Sequence, residues 1–208
     1  NEDVHTSVAA RVFHVEPASV TAEMRSKAKV INFGILYGMG VNALKDNLGT
    51  SRAEAQEFYD AYFAQFHQLA TYLQAVIASA KQTGYAQTLF GRRRYFPLMK
   101  SSLPQMRAMA ERMAINAPIQ GTQADIIKIS MIAVDHALKE NNLTKHVTML
   151  LQVHDELIFE VDTEYTDKVH DIVVDCMEKC IPQVYVVGRK TVPICVGTAL
   201  AKDWGSMK

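Results

Sequence analysis

Two cations and two aromatic residues recur at every fourth position early in the chain, as Arg25, Lys29, Phe33 and Tyr37. Residues four apart lie one above the other on an α-helix, so these four would form one stripe about 18 Å long. Because cations neutralise phosphate and aromatic faces stack on bases, the stripe could hold a nucleoside triphosphate. The alternative is an ordinary amphipathic helix with two solvated cations and two core aromatics.

A second candidate group, His154-Asp155-Glu156, lies between two apolar runs rich in β-forming residues, 147–153 and 156–161. This order predicts a β-hairpin with His154 and Asp155 at its turn. Carboxylate oxygens suit Mg²⁺, which usually keeps several waters and shares the phosphate oxygens of a substrate. Acidic residues are also common in tight turns, so ordinary turn chemistry is the competing interpretation.

A third group, Arg112, Asn116 and Gln120, again has a spacing of four. Their long hydrogen-bonding side chains suit a nucleic-acid groove. Pro118 lies between the last two, and a proline inside a helix removes a hydrogen bond and clashes with the preceding turn. We therefore expect the helix to be interrupted near Pro118.

The distribution of charge matters more than its total, because 22 basic residues balance 22 acidic ones over the 208 residues. Residues 81–116 alone carry seven basic residues and one acidic residue, and they include the run Arg92, Arg93 and Arg94. A basic patch of this kind can follow a phosphate backbone even when the whole chain is neutral. A solvated basic face without a partner is the alternative.

Capping signals and hydrophobic periodicity indicate the elements that position these groups. Thr21 is a candidate N-cap for a helix over residues 22–37. Ser51 and Glu54 form a capping box, and the apolar period behind them predicts one long helix to about residue 82. Glycine, arginine and aromatic residues over 84–97 then predict a short hairpin or loop.

The C-terminal half continues with a mixture of helix and strand. We expect a helix from about residue 104 to 141, interrupted at Pro118 and Gly121, and then the hairpin around His154. A helix over about 163–181 and a closing strand over 192–196 would follow. The chain is therefore predicted to be α+β, with an antiparallel sheet backed by helices.

The segment Arg25-Ser-Lys-Ala-Lys29-Val-Ile-Asn-Phe33-Gly-Ile-Leu-Tyr37-Gly38 resembles motif B of family A DNA polymerases, the bacterial DNA polymerase I type. Leu151-Gln-Val-His154-Asp155-Glu156 resembles their motif C. Further similar segments are Asp3-Val-His5, Gly91-Arg-Arg and Arg112-Met-Ala-Ile-Asn116-Ala-Pro-Ile-Gln120-Gly-Thr. The segments follow the family's order from one end of the chain to the other.

The resemblance implies a helical fingers region followed by part of an antiparallel palm sheet. Residues 1–113 would be mostly fingers, with a start similar to the palm–fingers junction, and residues 114–208 the C-terminal part of the palm. The implied reaction is template-directed transfer of a dNTP to a primer 3′ end.

The resemblance also implies a role for each matching residue in nucleotide binding. His5, Arg25 and Lys29 would contact the triphosphate, and Lys29 would also be the candidate proton donor to the pyrophosphate leaving group. Phe33 would lie against the sugar. Tyr37 and Gly38 would form the floor under the templating base and the nascent pair.

The remaining roles concern DNA and metal. Primer–template DNA would be contacted by Arg112, Asn116, Gln120 and His154, and the basic patch separately predicts phosphate contacts for Arg92, Arg93, Arg94 and Lys100. Asp155 would bind the catalytic Mg²⁺ ions, and Glu156 beside it is a further catalytic candidate.

The chain departs from the family's pattern at one point. Family A catalysis uses a second aspartate, from motif A, which should precede His5 and is not in this sequence. A two-metal transfer needs both ions clamped around the reacting oxygens. We therefore expect a C-terminal portion of a polymerase, inactive alone, with the missing N-terminal part, primer–template DNA and dNTPs as its partners.

Two other functions stay open at this point. One is a noncatalytic DNA- or nucleotide-binding fragment, or a subunit of a split polymerase, which the absent motif A favours. The other is a single-subunit RNA polymerase, which Phe33 and the Glu156 after Asp155 disfavour.

The expected location is the cytoplasm, without a membrane partner. No run approaches the roughly 18 apolar residues of a membrane span, and three cysteines are an odd set that suits a reducing compartment. An organelle or phage origin stays open.

Overall fold

The computed structural model describes residues 3–182 and 193–207 of the chain. It forms two compact units, one up to Ile119 and one from Gln120 onward. The division into fingers at 1–113 and palm at 114–208 stays a prediction.

Five α-helices open the first unit: α1 (Val4–Val12), α2 (Ala22–Leu36), α3 (Val41–Leu48), α4 (Arg52–Gln65) and α5 (His67–Thr83). The predicted caps are confirmed at two of them. The Thr21 side chain accepts a hydrogen bond from the Met24 N–H, and Ser51 and Glu54 make both bonds of the capping box.

The prediction of one long helix from Ser51 to about residue 82 is wrong, because Phe66 separates α4 from α5. Phe66 leaves the helical conformation with φ −103° and ψ 50°. Its ring centroid lies 4.9 Å from that of Tyr62, so an aromatic contact accompanies the break. The sequence analysis also did not predict α1 or α3.

The core of this part of the chain is built on one side of α2. Its buried members come from α1 to α4: Val8, Ala9, Ala28, Ile31, Ile35, Leu44, Ala55 and Tyr62. Because the core fixes which side of α2 is inward, it also fixes which residues face solvent.

A short hairpin follows α5, as predicted. Strand β1 (Tyr85–Gln87) pairs antiparallel with β2 (Arg93–Tyr95), with Tyr85 opposite Tyr95. Gly84 ends α5 in the left-handed conformation, and its carbonyl accepts a hydrogen bond from the Phe96 N–H. This bond ties the base of the hairpin to the end of the helix. The arginine run therefore lies on a hairpin held at its base.

Helix α6 (Pro104–Glu140) contains both Pro118 and Gly121, so the predicted interruption is wrong. A proline inside a helix costs about 3 kcal/mol because it lacks an N–H and crowds the preceding turn. Buried residues on both sides offset this cost: Ala114 and Ala117 pack in the first unit, and Val134 and Leu138 in the second. The packing of these residues thus outweighs the tendency of Pro118 to break the helix.

The second unit contains the predicted hairpin. Strand β3 (Val147–Val153) pairs antiparallel with β4 (Glu156–Val161), and a 3₁₀ turn at Thr163–Tyr165 leads into α7 (Thr166–Glu178). The register shifts between Met149 and Leu151, which makes Leu150 the extra residue of a β-bulge. The α+β class is confirmed.

The closing strand predicted at 192–196 is the remaining difference. Val192 lies outside the described residues, and residues 193–200 carry neither helix nor strand. Across residues 3–182 and 193–207, no helix has the length and apolar character needed to cross a membrane.

Candidate functional site

The stripe on α2 faces solvent along its whole length. Arg25 and Lys29 are exposed, and so are Phe33 and Tyr37, at 40% and 39% of their surface. The two rings stack with centroids 6.2 Å apart. The alternative of two core aromatics therefore does not hold, because the core lies on the other side of the helix.

The start of α1 brings His5 and Arg25 to a common residue, Asp3. The Asp3 carboxylate caps α1 by accepting from the His5 N–H at 3.0 Å and from the Thr6 hydroxyl at 2.8 Å. It also accepts from Arg25 Nε at 2.6 Å. The His5 ring lies 5.5 Å from the Phe33 ring, so His5 adjoins the stripe on α2.

Asp3 and Arg25 stabilise each other's charged forms. The Arg25 guanidinium, followed by the Thr6 hydroxyl, holds the pKa of the Asp3 carboxyl well below its usual range. The Asp3 carboxylate in turn raises the pKa of the Arg25 guanidinium. Sequence reasoning named Asp3 only as part of a similar segment and gave it no role, although an aspartate directly before a helix is a recognisable N-cap signal.

Behind the stripe, a polar chain runs through the core. The Tyr62 hydroxyl on α4 donates to Asn32 Oδ1 at 2.5 Å, and Asn32 Nδ2 lies 3.2 Å from His5 Nδ1. Tyr62 and Asn32 are both buried. Sequence reasoning missed both residues, although Asn32 is a polar residue at a position where α2 otherwise buries alanine and isoleucine.

The end of α2 packs closely against α6 at Gly38. Gly38 has φ +85°, and a Cβ added there would stand 2.9 Å from Arg112 Cγ. Only glycine meets both requirements, because an L side chain is strained at that φ and would collide with Arg112. The structure therefore brings together Gly38 and Arg112, which the sequence analysis placed in different groups.

The arginine run presents cations and aromatic rings together. Arg92, Arg93 and Arg94 are exposed, and the Arg93 guanidinium lies 4.5 Å from the centre of the Tyr85 ring. Arg94 lies 5.7 Å from the Phe96 ring. Stacking on a ring orients a guanidinium while leaving it charged, which suits binding to a polyanion.

Two other basic residues of the patch bind to groups within the chain. Lys81 forms an ion pair with Glu111 at 2.7 Å, and Arg107 donates to the backbone carbonyls of Ser101 and Ser102. Arg93 and Arg94, with the exposed Lys100 that follows the hairpin, are the better candidates for contact with nucleic acid.

In the second unit, the turn between β3 and β4 exposes His154, Asp155 and Glu156. His154 adopts φ +54°, an uncommon conformation outside glycine, and its carbonyl accepts from Gln152 Nε2 at 2.6 Å. A β-bulge four residues before His154 adds local twist to the strand. The strands and this bond hold the Asp155 carboxylate at the tip of a braced hairpin.

Asp155 fits the role of one ligand to a hard cation, since it is an exposed carboxylate at a fixed turn. Within residues 3–182 and 193–207, however, no three His, Cys, Asp or Glu side chains gather as a group that could hold a metal ion. In this part of the chain, Asp155 and the adjacent Glu156 are therefore considered as single carboxylate ligands rather than as members of a larger group.

The candidates divide between the two units. His5, the stripe on α2, Gly38, the arginine run, Arg112 and Asn116 belong to the first, where Asn116 is half-buried on α6. Gln120, His154, Asp155 and Glu156 belong to the second, and Gln120 is exposed on the same helix.

An α+β fold with an exposed cation–aromatic stripe, a basic hairpin and a carboxylate turn has the features of a nucleic acid polymerase. The chain belongs to DNA polymerase family A, whose model matches residues 1–206.

Curated relatives agree with this assignment. DNA polymerase I of Mycobacterium bovis is 44% identical over 203 residues, covering 98% of this chain. The thermostable DNA polymerase I of Thermus filiformis is 39% identical over 203 residues, also 98% of this chain. These alignments occupy only 22% and 23% of the relatives' own lengths, so the chain spans about a fifth to a quarter of them.

A solved structure is similar as well. It is the POL domain of Pol1 from M. smegmatis in complex with DNA primer–template and dNTP, with a TM-score of 0.81 and 42% sequence identity. The match covers 87% of this chain and 32% of that one.

Proposed function

We propose that this chain forms the nucleotide-binding and C-terminal portion of a template-directed DNA polymerase, which transfers a dNTP to a primer 3′ end. The observation that carries the proposal is the exposed stripe on α2 with His5 and Arg25 joined through Asp3. The similar solved chain, whose title names a complex with DNA primer–template and dNTP, supports it.

In this proposal the stripe binds the incoming nucleotide from phosphate to base. Arg25, Lys29 and His5 hold the triphosphate, and Lys29 gives a proton to the leaving pyrophosphate. Phe33 packs against the sugar, and Tyr37 with Gly38 forms the floor beneath the nascent pair. The order along α2 supports these roles, because the cations occupy one end of the exposed face and the stacked rings the other.

Asp155 is proposed as a ligand of Mg²⁺, with Glu156 beside it as a second carboxylate. The ion would neutralise charge on the phosphates and on the attacking oxygen. The chain's own contribution is a carboxylate fixed at the β3–β4 turn, and the exposure of Asp155 and Glu156 leaves both accessible. The second aspartate would come from the N-terminal part of the polymerase.

Contacts to primer–template DNA are proposed for both units. Arg92, Arg93 and Arg94 would contact phosphates from their hairpin, and Arg112 and Asn116 would contact the primer–template DNA from α6. Gln120 and His154 complete the set. Because the curated relatives are bacterial proteins, we also propose a cytoplasmic location.

A noncatalytic DNA- and nucleotide-binding portion, or a subunit of a split polymerase, is the second candidate function. The observation that favours it is the lack of a three-residue metal-ligating group in the described part of the chain. The family match favours a DNA polymerase over the RNA polymerase alternative.

Primer extension distinguishes these functions. We expect no extension by the pure 208-residue chain with Mg²⁺ and all four dNTPs, and extension when the chain is joined to a segment that carries the motif A aspartate. Extension by the chain alone would contradict the incomplete-site proposal. A folded, joined protein that binds DNA and dNTP without extending the primer would instead favour the noncatalytic function.

The salt dependence of DNA binding tests the arginine run. Arg93→Gln and Arg94→Gln should each weaken binding similarly on unrelated duplexes and lower the slope of log K against log [salt] by about one unit. Lys139→Gln on α6 is the control, since Lys139 is exposed but paired with Asp135 at 2.6 Å. Fluorescence anisotropy titrations at several salt concentrations give the slopes. Slopes equal to that of the control would show that the arginine run is a solvated basic face that does not contact DNA.

A further inference from the structure

A buried hydrogen-bond chain leads from α4 to the edge of the stripe. The Tyr62 hydroxyl donates to Asn32 Oδ1, and Asn32 Nδ2 faces His5 Nδ1. Tyr62 is 6% exposed and Asn32 is 7% exposed, so neither has solvent as a ready alternative partner. A buried polar group is costly to leave unpaired, so the orientation of the Asn32 amide must satisfy both hydrogen bonds at once.

The distance between Tyr62 and Asn32 shows which atom donates in each of these hydrogen bonds. The separation of 2.5 Å between Tyr62 and Asn32 suits an O–H···O bond and is too short for a normal N–H···O bond. Asn32 therefore presents its oxygen to Tyr62 and its nitrogen to His5. An amide nitrogen only donates, so His5 Nδ1 must accept and the ring proton lies on Nε2.

We propose that Asn32 and Tyr62 are positioning residues that hold His5 as its Nε2–H tautomer, so that the ring donates a hydrogen bond to an anionic phosphate oxygen of the incoming nucleotide. The inference rests on the proposed function, which places the triphosphate at His5 and Arg25. The opposite tautomer would present a lone pair to the phosphate and repel it.

Further contacts support this orientation. The Asp3 carboxylate accepts from the His5 N–H at 3.0 Å, which fixes the backbone from which the ring projects. With Nδ1 turned to the buried Asn32, Nε2 lies across the ring from it and makes no hydrogen bond to the described residues. Asp3 also holds Arg25, so a phosphate reaching Arg25 would come close to the free donor of His5.

Nitrogen NMR of histidine-labelled protein tests the proposal in the complete polymerase that carries this chain, with the His5 signals assigned by their loss in His5→Gln. We expect a protonated Nε2 and an unprotonated Nδ1. Tyr62→Phe frees the Asn32 amide to rotate, so the Nδ1–H population should rise. The KM for dNTP should then increase about two- to tenfold, the effect of losing one hydrogen bond, while kcat changes little.

Tyr59→Phe is the matched control, because Tyr59 is a half-buried tyrosine on the same helix and its hydroxyl has no hydrogen bond to the described residues. It should change neither the tautomer nor KM. Asn32→Asp gives a second test that does not depend on amide rotation. A carboxylate only accepts, so His5 Nδ1 should gain a proton.

The outcomes separate this inference from the proposed function. A wild-type Nδ1–H ring, or a tautomer that neither Tyr62→Phe nor Asn32→Asp alters, would overturn the inference. An Nε2–H ring that responds to both variants, in a protein that does not bind dNTP, would contradict the proposed function and leave the tautomer assignment standing.

Discussion

Asp155→Asn in the complete polymerase is expected to lower kcat/KM for dNTP incorporation by about a hundredfold or more. The Asp155 carboxylate is exposed at the braced turn between β3 and β4, where it can serve as a charged oxygen ligand. Asparagine keeps the shape but removes the charge, and the stabilisation that a catalytic metal ion supplies is worth several kcal/mol. Single-nucleotide primer extension over a Mg²⁺ titration measures the loss.

Glu160→Gln is the control, because Glu160 is an exposed acidic residue on β4, four residues from Glu156. It should retain activity, and the stability of both variants should stay within about 0.5 kcal/mol of wild type, as for other exposed surface changes. Glu156→Gln then reports whether the neighbouring carboxylate also takes part. Near wild-type extension by Asp155→Asn would contradict the metal-ligand role.

Lys29→Gln is expected to slow nucleotide incorporation by about a hundredfold or more, the usual range for loss of a general acid. Lys29 is exposed on the face of α2 that carries Arg25 and Phe33. Rapid-quench measurement of a single turnover separates this effect from slow product release. A variant rate within about threefold of wild type would place the proton donor elsewhere.

Lys29→Arg separates the two roles proposed for this residue. Arginine keeps the positive charge but does not give up a proton, so it should restore most of the affinity for dNTP while the rate stays low. Lys27→Gln is the matched control, since Lys27 lies on the same helix and is paired with Glu23 at 2.9 Å. Full recovery of the rate in Lys29→Arg would show that Lys29 acts through charge alone.

The elements that were predicted correctly are those whose ends carry a local chemical signal. Thr21 and Ser51 are side-chain caps, and the hairpin around His154 has apolar runs on both sides of a two-residue turn. Such signals act over three or four residues, so they are visible in the sequence.

The elements that were missed depend on packing for which the local sequence carries no signal. The apolar period continues across Phe66 without glycine or proline, and the break coincides with packing of the Phe66 ring against Tyr62 and the core of the first unit. Pro118 is the opposite case, since its local signal predicts an interruption that buried alanines on α6 outweigh. Helix α3 begins at Val41, and its N-cap is Gly40, which has no side chain to mark the start.

The candidate site was predictable only where it lies on one element. Spacing alone places the four stripe residues on a single face of α2, but it cannot show whether that face is inward or exposed. Asp3 acts on Arg25 across 22 residues of sequence, and Tyr62 acts on Asn32 across 30. The sequence contains no periodic signal for such pairs.

The close packing at Gly38 also makes two nearby glycines unequal in their tolerance of sequence change. Gly40 has no left-handed φ, and a Cβ added there would meet nothing within 4 Å, so drift to alanine or serine at that position is compatible with the backbone. Gly38 does not tolerate the same substitutions, because its φ of +85° strains an L side chain and an added Cβ would lie too close to the Arg112 side chain. Among homologous chains that keep this geometry, position 38 should stay invariant whatever happens two residues later.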